Sequence, residues 1–315
     1  MRRLGRRRFL SLIAAPAAIA LPGAGGARPE AVRWQGTALG ARASLVMGGI
    51  DAARGRRLIG HVLAEIDRLE RIFSLHRADS ALSLLNRQGR LTTPPQELVD
   101  VLAEAARIHR LSGGAFDVTI QPLWRLHAGH FARPQAPATG PSAAAVAQAR
   151  ERTGFEQVEI GPDEIRFARP GMAITLNGIA QGTVTDRIAD LLRGEGLEHV
   201  LIDMGEIAAT GHHPSGRAWS IGLGAAGRLE LRDAAVATTD PRGTTFDAAG
   251  RHHHLLDPRT GRSSGHARRV TVVAPRASLA DALSTALAVM PPEEAGRVRR
   301  RLDGSVRILD AAAHV

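Results

Sequence analysis

The chain has 315 residues, is 44 % apolar and 23 % charged, and carries a formal charge of +10; that is enough for one large domain with its own core. It has no cysteine, which excludes structural disulfides and thiolate metal sites. All 41 basic residues are arginine, which excludes Schiff-base chemistry through lysine. Aromatic residues make up only 3 % and do not interleave with arginine. That gives little support to nucleic-acid binding, and no nucleic-acid partner is expected.

The first 27 residues read as an address. Arg2, Arg3, Arg6, Arg7 and Arg8 precede an apolar run from Phe9 to Leu21 that is too short to span a bilayer and contains Pro16. "RRRFL" resembles a twin-arginine export signal, with an ordinary secretory signal or an uncleaved anchor as the alternative. Gly25, Gly26 and Ala27 suit a cleavage site, so a mature chain starting at Arg28 and working in the periplasm is expected. It would carry +5, five less than the whole chain's +10. No transmembrane span beyond the signal is expected.

In chain order, residues 41 to 47 alternate and predict a strand. Leu58, Val62, Ile66, Leu69 and Phe73 recur at helical spacing behind Asp51, a candidate N-cap. Pro94 and Pro95 precede a second helix, which Gly113 and Gly114 stop. A Pro-rich loop then leads to a short helix ending near residue 154. "QVEIG" and "DEIRFA" read as a hairpin across Gly161-Pro162-Asp163. "MAITL" leads through "NGIAQG" into a helix, "TVTDRIADLLRGEG". "HVLIDM", "AWSIGL", "RLELR" and "RRVTVVA" are expected strands, "SLADALSTALAVM" a helix over 278–290, and "SVRIL" the last strand. No repeat and no linker divides the chain. The pattern predicts α+β: residues 28–315 as a single domain, with a mixed, largely antiparallel sheet flanked by helices.

Four stretches can carry chemistry. In the helix 278–290, spacings of three and four put Asp281, Ser284 and Thr285 on one face. A carboxylate and hydroxyls are hard ligands suited to Mg²⁺ or Ca²⁺; the alternative is hydroxyls bonding back to helix carbonyls. "LNGIAQGTVTD" is a Gly-punctuated turn whose amides can cradle phosphate, or simply a tight connection. In "RHHHLLDPRTGR", His254 can act as a general base. Three adjacent histidines in a strand point to alternate faces and make a poor metal site. The pairs His127 with His130 and His212 with His213 are expected to be exposed. In "SGGAFDVTIQPLW", Phe116 can stack on a ring and Asp117 can accept from a ribose or an amide; a core Phe and a turn Asp are the plainer reading.

Taken in order, "FSLHRADSALSLLN", "SGGAFDVT", "NGIAQGTVTD", "HLLDPRTG" and "ADALSTAL" resemble the ApbE family, the FAD:protein FMN transferases. "NGIAQG" and "QPLW" resemble members tied to nitrous oxide reductase maturation. The resemblance implies an exported enzyme that binds FAD as substrate and needs Mg²⁺. It would transfer FMN to a Ser or Thr of a partner flavoprotein carrying a flavinylation motif, releasing AMP. It also implies Asp281, Ser284, Thr285 and the Gly178 carbonyl as metal ligands. His254 and Asp281 would be catalytic, and Arg259 would hold phosphate or stabilise its turn. The flavin and adenine sites would involve Gln35, His76, Ala115, Phe116, Asp117, Thr175, Gln181 and the Leu255 backbone. The chain departs from the family pattern at Gln35, His76, Thr175, Gln181 and Gly205-Glu206. Two further readings therefore stay open, an FAD pyrophosphatase and a non-catalytic periplasmic FAD carrier.

Overall fold

The computed structural model describes residues 31–224 and 227–310; the expected leader over 1–27 and the expected mature start at Arg28 lie outside them. β1 (Ala31–Ala38) and β2 (Ala41–Gly48) form a hairpin. α1 (Ala52–Phe73) follows, its Asp51 side chain accepting from the Arg54 amide as an N-cap and its periodic apolar residues buried. Next come α2 (Ala81–Gln88), β3 (Arg90–Thr92) and α3 (Gln96–Leu111). Gly113 and Gly114 turn away from α3 at φ of 58° and 84°, which only glycine adopts freely. α4 (Gln121–Phe131) and α5 (Ala143–Arg150) complete the front half.

The hairpin read around Gly161-Pro162-Asp163 is β4 (Val158–Ile160) and β5 (Glu164–Phe167), which β3 joins to make a three-stranded sheet. α6 (Ala180–Gly194) leads into β6 (Val200–Asp203) and β7 (Ile207–Thr210). β8 (Trp219–Gly222) pairs with β9 (Arg228–Leu231), and β10 (Ala234–Thr239) returns to the centre. β11 (Leu256–Asp257) and β12 (Arg262–Ser263) clasp the Asp257–Gly261 turn. β13 (Val270–Ala274), α7 (Ala277–Val289), α8 (Pro292–Arg299) and β14 (Arg307–Asp310) end the chain.

Seven strands form the main sheet in the order β1-β2-β6-β7-β10-β13-β14. Every neighbouring pair in it is antiparallel, so the α+β architecture holds without a parallel pair among the described residues. α7 packs on β10, β13 and α6, and its Leu283 and Leu287 are 0 % exposed. Burying each such leucine contributes about 1.5–3 kcal/mol. No helix among the described residues is long and apolar enough to cross a membrane.

Two details of the fold set the site. α6 starts at Ala180, three residues before the expected Thr183, so Gln181 and Gly182 belong to its first turn. There α6 crosses α7 so closely that a Cβ on Gly182 would overlap the Ala277 carbonyl. α7 has no capping side chain of its own. Asp186 reaches over from α6 instead, accepting from the Ala277 amide at 2.7 Å and the Ser278 amide at 3.0 Å. Second, α4 buries His127 and His130, at 1 % and 6 % exposure, which corrects the expectation that they are exposed. Phe246 stacks on His127, while the His130 ring is held between the Pro137 carbonyl and Arg133, each at 2.9 Å.

Candidate active site

The ends of β10 and α7, the turn before α6, the Ala115–Asp117 stretch and the segment at His254 surround one cleft that opens to solvent. α7 supplies Asp281 and Thr285, one helical turn apart. Gly178 lies against Thr285: a Cβ there would stand 3.1 Å from Thr285 Oγ1 and 3.2 Å from the Phe116 ring. The Gly182 amide donates to Asp281 Oδ2 at 3.2 Å, fixing that carboxylate from the first turn of α6. Burial pushes the Asp281 carboxyl up to about 7, and neighbouring Asp186 adds repulsion.

His254 enters from the opposite wall. The Thr244 carbonyl lies 3.0 Å from its Nδ1. A carbonyl only accepts, so Nδ1 carries the proton and Nε2 keeps its lone pair. Burial lowers the imidazole's pKa, so it stays neutral and basic near pH 7. Of the three consecutive histidines only His254 lines the cleft; His252 reaches the Ala138 carbonyl and His253 is buried elsewhere.

Ala115, Phe116, Asp117, Thr175, Gln181 and Leu255 also line the cleft. The Asp117 carboxylate is already occupied by the Thr119 amide and hydroxyl at 2.8 and 2.6 Å and by the Phe155 amide at 3.2 Å. It therefore shapes the wall as a turn aspartate. The remaining residues are not brought together. Gln35 on β1 and His76 after α1 are exposed and do not line the cleft. Ser284 is 0 % exposed and faces the sheet, donating to the Asp281 carbonyl at 3.0 Å and sharing a 2.7 Å hydrogen bond with Thr239. The same Thr239 hydroxyl lies 3.3 Å from Thr285 Oγ1, so the end of β10 touches both side chains, but of the two only Thr285 lines the cleft. Arg259 forks onto Asp257 at 2.9 and 2.8 Å and reaches Glu294 at 2.7 Å, which is the turn-stabilising role rather than phosphate contact.

Trp124 and Asp240, which sequence reasoning did not single out, and Glu206, which it noted only as a departure from the family pattern, also line the cleft. Trp124 sits on α4, whose short Gly- and His-containing segment gives a weak helical signal; it meets Phe246 edge-on at 5.8 Å. Glu206 is 7 % exposed, and burial with repulsion from Asp281 and Asp203 pushes its carboxyl well above the usual range. Asp117, Glu206, Asp240 and Asp281 make the wall acidic, and no arginine lines it to offset them, so burial raises the Asp117, Glu206 and Asp281 carboxyls. Carboxylate, hydroxyl and peptide carbonyl oxygens make a hard donor set that fits Mg²⁺ and disfavours soft metals. Among the described residues no ready cluster of three or more His, Asp or Glu side chains forms a metal site.

Fold and cleft together define a one-domain α+β protein whose single-turn oxygen donors and buried base face one small-molecule pocket. The chain belongs to the ApbE family: a sequence model of that family matches residues 39–309. A relative named FAD:protein FMN transferase, from Klebsiella pneumoniae, is 29 % identical over 269 residues, spanning 80 % of this chain and 76 % of that protein. Another of that name, from Vibrio cholerae, is 32 % identical over 249 residues, 73 % of each. The solved flavin transferase ApbE from Vibrio cholerae matches the fold with a TM-score of 0.77 at 25 % identity, covering 90 % of this chain and 98 % of that one.

Proposed function

We propose that the chain is a flavin transferase that cleaves FAD and moves FMN onto a Ser or Thr hydroxyl of an acceptor flavoprotein, releasing AMP. One observation carries the reading: in a member of this family, Gly178, Asp281 and Thr285 meet in a cleft that also holds His254. An Mg²⁺ ion held by Asp281, Thr285 and the Gly178 carbonyl would neutralise the pyrophosphate and assist departure of AMP. The chain's own groups do the rest. Gly182 holds the Asp281 carboxylate in place. The Thr244 carbonyl orients the His254 ring so that Nε2 can take the acceptor's hydroxyl proton. The hydroxyl oxygen then bonds to the FMN phosphorus, the bond from that phosphorus to the bridging oxygen breaks, and AMP leaves with the electron pair. Phe116, Trp124 and Leu255 offer apolar surface for a ring system.

The arginine-rich first 27 residues support twin-arginine export and a periplasmic place of work. Cell fractionation of the full chain, with Arg7→Lys and Arg8→Lys together as the comparison, tests that placement. For the reaction, purified protein is given FAD and Mg²⁺, and AMP is measured with and without an acceptor domain. AMP together with a flavin-fluorescent acceptor band on a denaturing gel is the expected result. AMP with free FMN only would make the enzyme an FAD pyrophosphatase, and FAD binding without AMP would make it a carrier.

A further inference from the structure

We propose that Glu206 supplies a second carboxylate to the cation site beside Asp281, in the place the sequence gives to Ser284. This rests on the flavin-transfer reading for the cation's purpose, but the placement of Glu206 stands on its own geometry. Glu206 follows the tight turn between β6 and β7, where the Met204 amide donates to the Glu206 carbonyl at 3.1 Å. The Thr185 hydroxyl on α6 donates to the same carbonyl at 3.0 Å. α6 therefore fixes both residues, Asp281 through the Gly182 amide and Glu206 through Thr185. Both side chains face the cleft at 4 % and 7 % exposure.

Neither carboxylate forms an ion pair among the described residues, and no arginine lines the wall they share. Buried carboxylates side by side are normally matched by a cation or a metal. A second, independent feature points to a ligand at this spot. The Gln181 side-chain amide is 7 % exposed, lines the same wall and makes no hydrogen bond among the described residues. It lies directly over Gly205, whose φ of 104° and missing Cβ leave it room. A buried amide without a partner marks space for a polar ligand or its water. Ser284 is 0 % exposed, does not line the cleft and spends its hydroxyl on the Asp281 carbonyl and on Thr239 at 2.7 Å, whereas the Thr285 hydroxyl lines the cleft and meets Thr239 only at 3.3 Å. Asp281, Glu206, the Thr285 hydroxyl and the Gly178 carbonyl together make an all-oxygen set with two formal charges, which suits a divalent cation and leaves positions for phosphate oxygens.

The test uses the chelator-treated protein without FAD and Mn²⁺ as the probe. Free Mn²⁺ is read by electron paramagnetic resonance, and the Mn²⁺-induced rise in Tm is read in parallel. Asp281→Asn and Glu206→Gln should each weaken Mn²⁺ binding at least about tenfold, while Ser284→Ala stays close to wild type. Glu206→Gln keeps the side-chain volume, and a cooperative melt in EDTA shows that it folds; Glu206→Asp, with the charge drawn back, should fall between it and wild type. Wild-type Mn²⁺ affinity in Glu206→Gln, with binding lost in Asp281→Asn, overturns the role of Glu206 and leaves the flavin-transfer reading standing. A loss in Ser284→Ala equal to that in Glu206→Gln also overturns it. No Mn²⁺ binding by the wild type, together with metal-independent AMP release from FAD, removes both.

Discussion

His254 owes its chemistry to the residue that holds its other nitrogen. With Nδ1–H tied to the Thr244 carbonyl, Nε2 keeps its lone pair on a ring that lines the cleft, which is the tautomer a general base needs. Burial lowers the ring's pKa from its ordinary 6.5. The sign follows: the base form is full above pH 6.5 and is lost only as pH falls below that value. The acid limb that His254 sets in the turnover of FAD should therefore fall only below pH 6.5, lower than an exposed histidine would put it and separate from the Asp281 carboxyl, which burial pushes up to about 7 in the metal-free protein. His254→Ala should cut kcat by roughly 10²–10⁴ and remove that limb. A pH–rate profile of the two proteins checks both points, and an unaltered acid limb in the variant would assign the proton to another group.

At the scale of elements, the site depends on how closely α6 crosses α7. Gly182 is the contact point, where a Cβ would overlap the Ala277 backbone. Gly182→Ala should destabilise the fold by about 1–3 kcal/mol through overpacking. Because the Gly182 amide also holds Asp281, activity should fall further than stability does. Gly194→Ala, at the end of the same helix with nothing within 4 Å of the added Cβ, is the control and should be neutral or slightly stabilising. Urea midpoints for the pair decide it; equal midpoints would mean that the crossing tolerates a methyl. Asp186→Ala should cost about 1–2 kcal/mol by uncapping α7, read in the same titration. Elements with strong local signals were legible in the sequence: α1 with its Asp51 cap, the β4–β5 hairpin and α7. β7 and β10 were not, because "IAAT" and "AAVATT" are short, set their β-branched residues among alanines and show no alternation of apolar and polar residues. The alternation of cleft and core faces on α7 was half legible. Periodicity grouped Asp281 with Thr285, but only the position of β10 shows that Ser284 turns inward. The capping of α7 by Asp186, 91 residues away in sequence, has no local signal at all.

For the whole molecule, two charges of opposite sense act on one anionic substrate. The chain after its first 27 residues carries a net +5, which favours approach of an anion at long range. The cleft itself is walled by Asp117, Glu206, Asp240 and Asp281 without an arginine, and whatever part of the raised Asp117, Glu206 and Asp281 carboxyls ionises opposes a pyrophosphate at contact. A divalent cation would resolve the conflict, and on the proposed reading cation and FAD should bind with strong positive coupling. FAD affinity measured by flavin fluorescence should drop at least about tenfold, roughly 1.4 kcal/mol, when EDTA replaces Mg²⁺. Linkage requires FAD to tighten Mg²⁺ binding by the same factor, and calorimetry of Mg²⁺ with and without FAD measures that arm independently. Raising ionic strength should slow FAD association, since the long-range field is screened beyond about 8–10 Å, while leaving the coupling largely intact, because the buried carboxylates are screened less. An FAD affinity indifferent to EDTA would mean that backbone amides alone balance the acidic wall, and the cation would then have to be sought in the chemical step and not in binding.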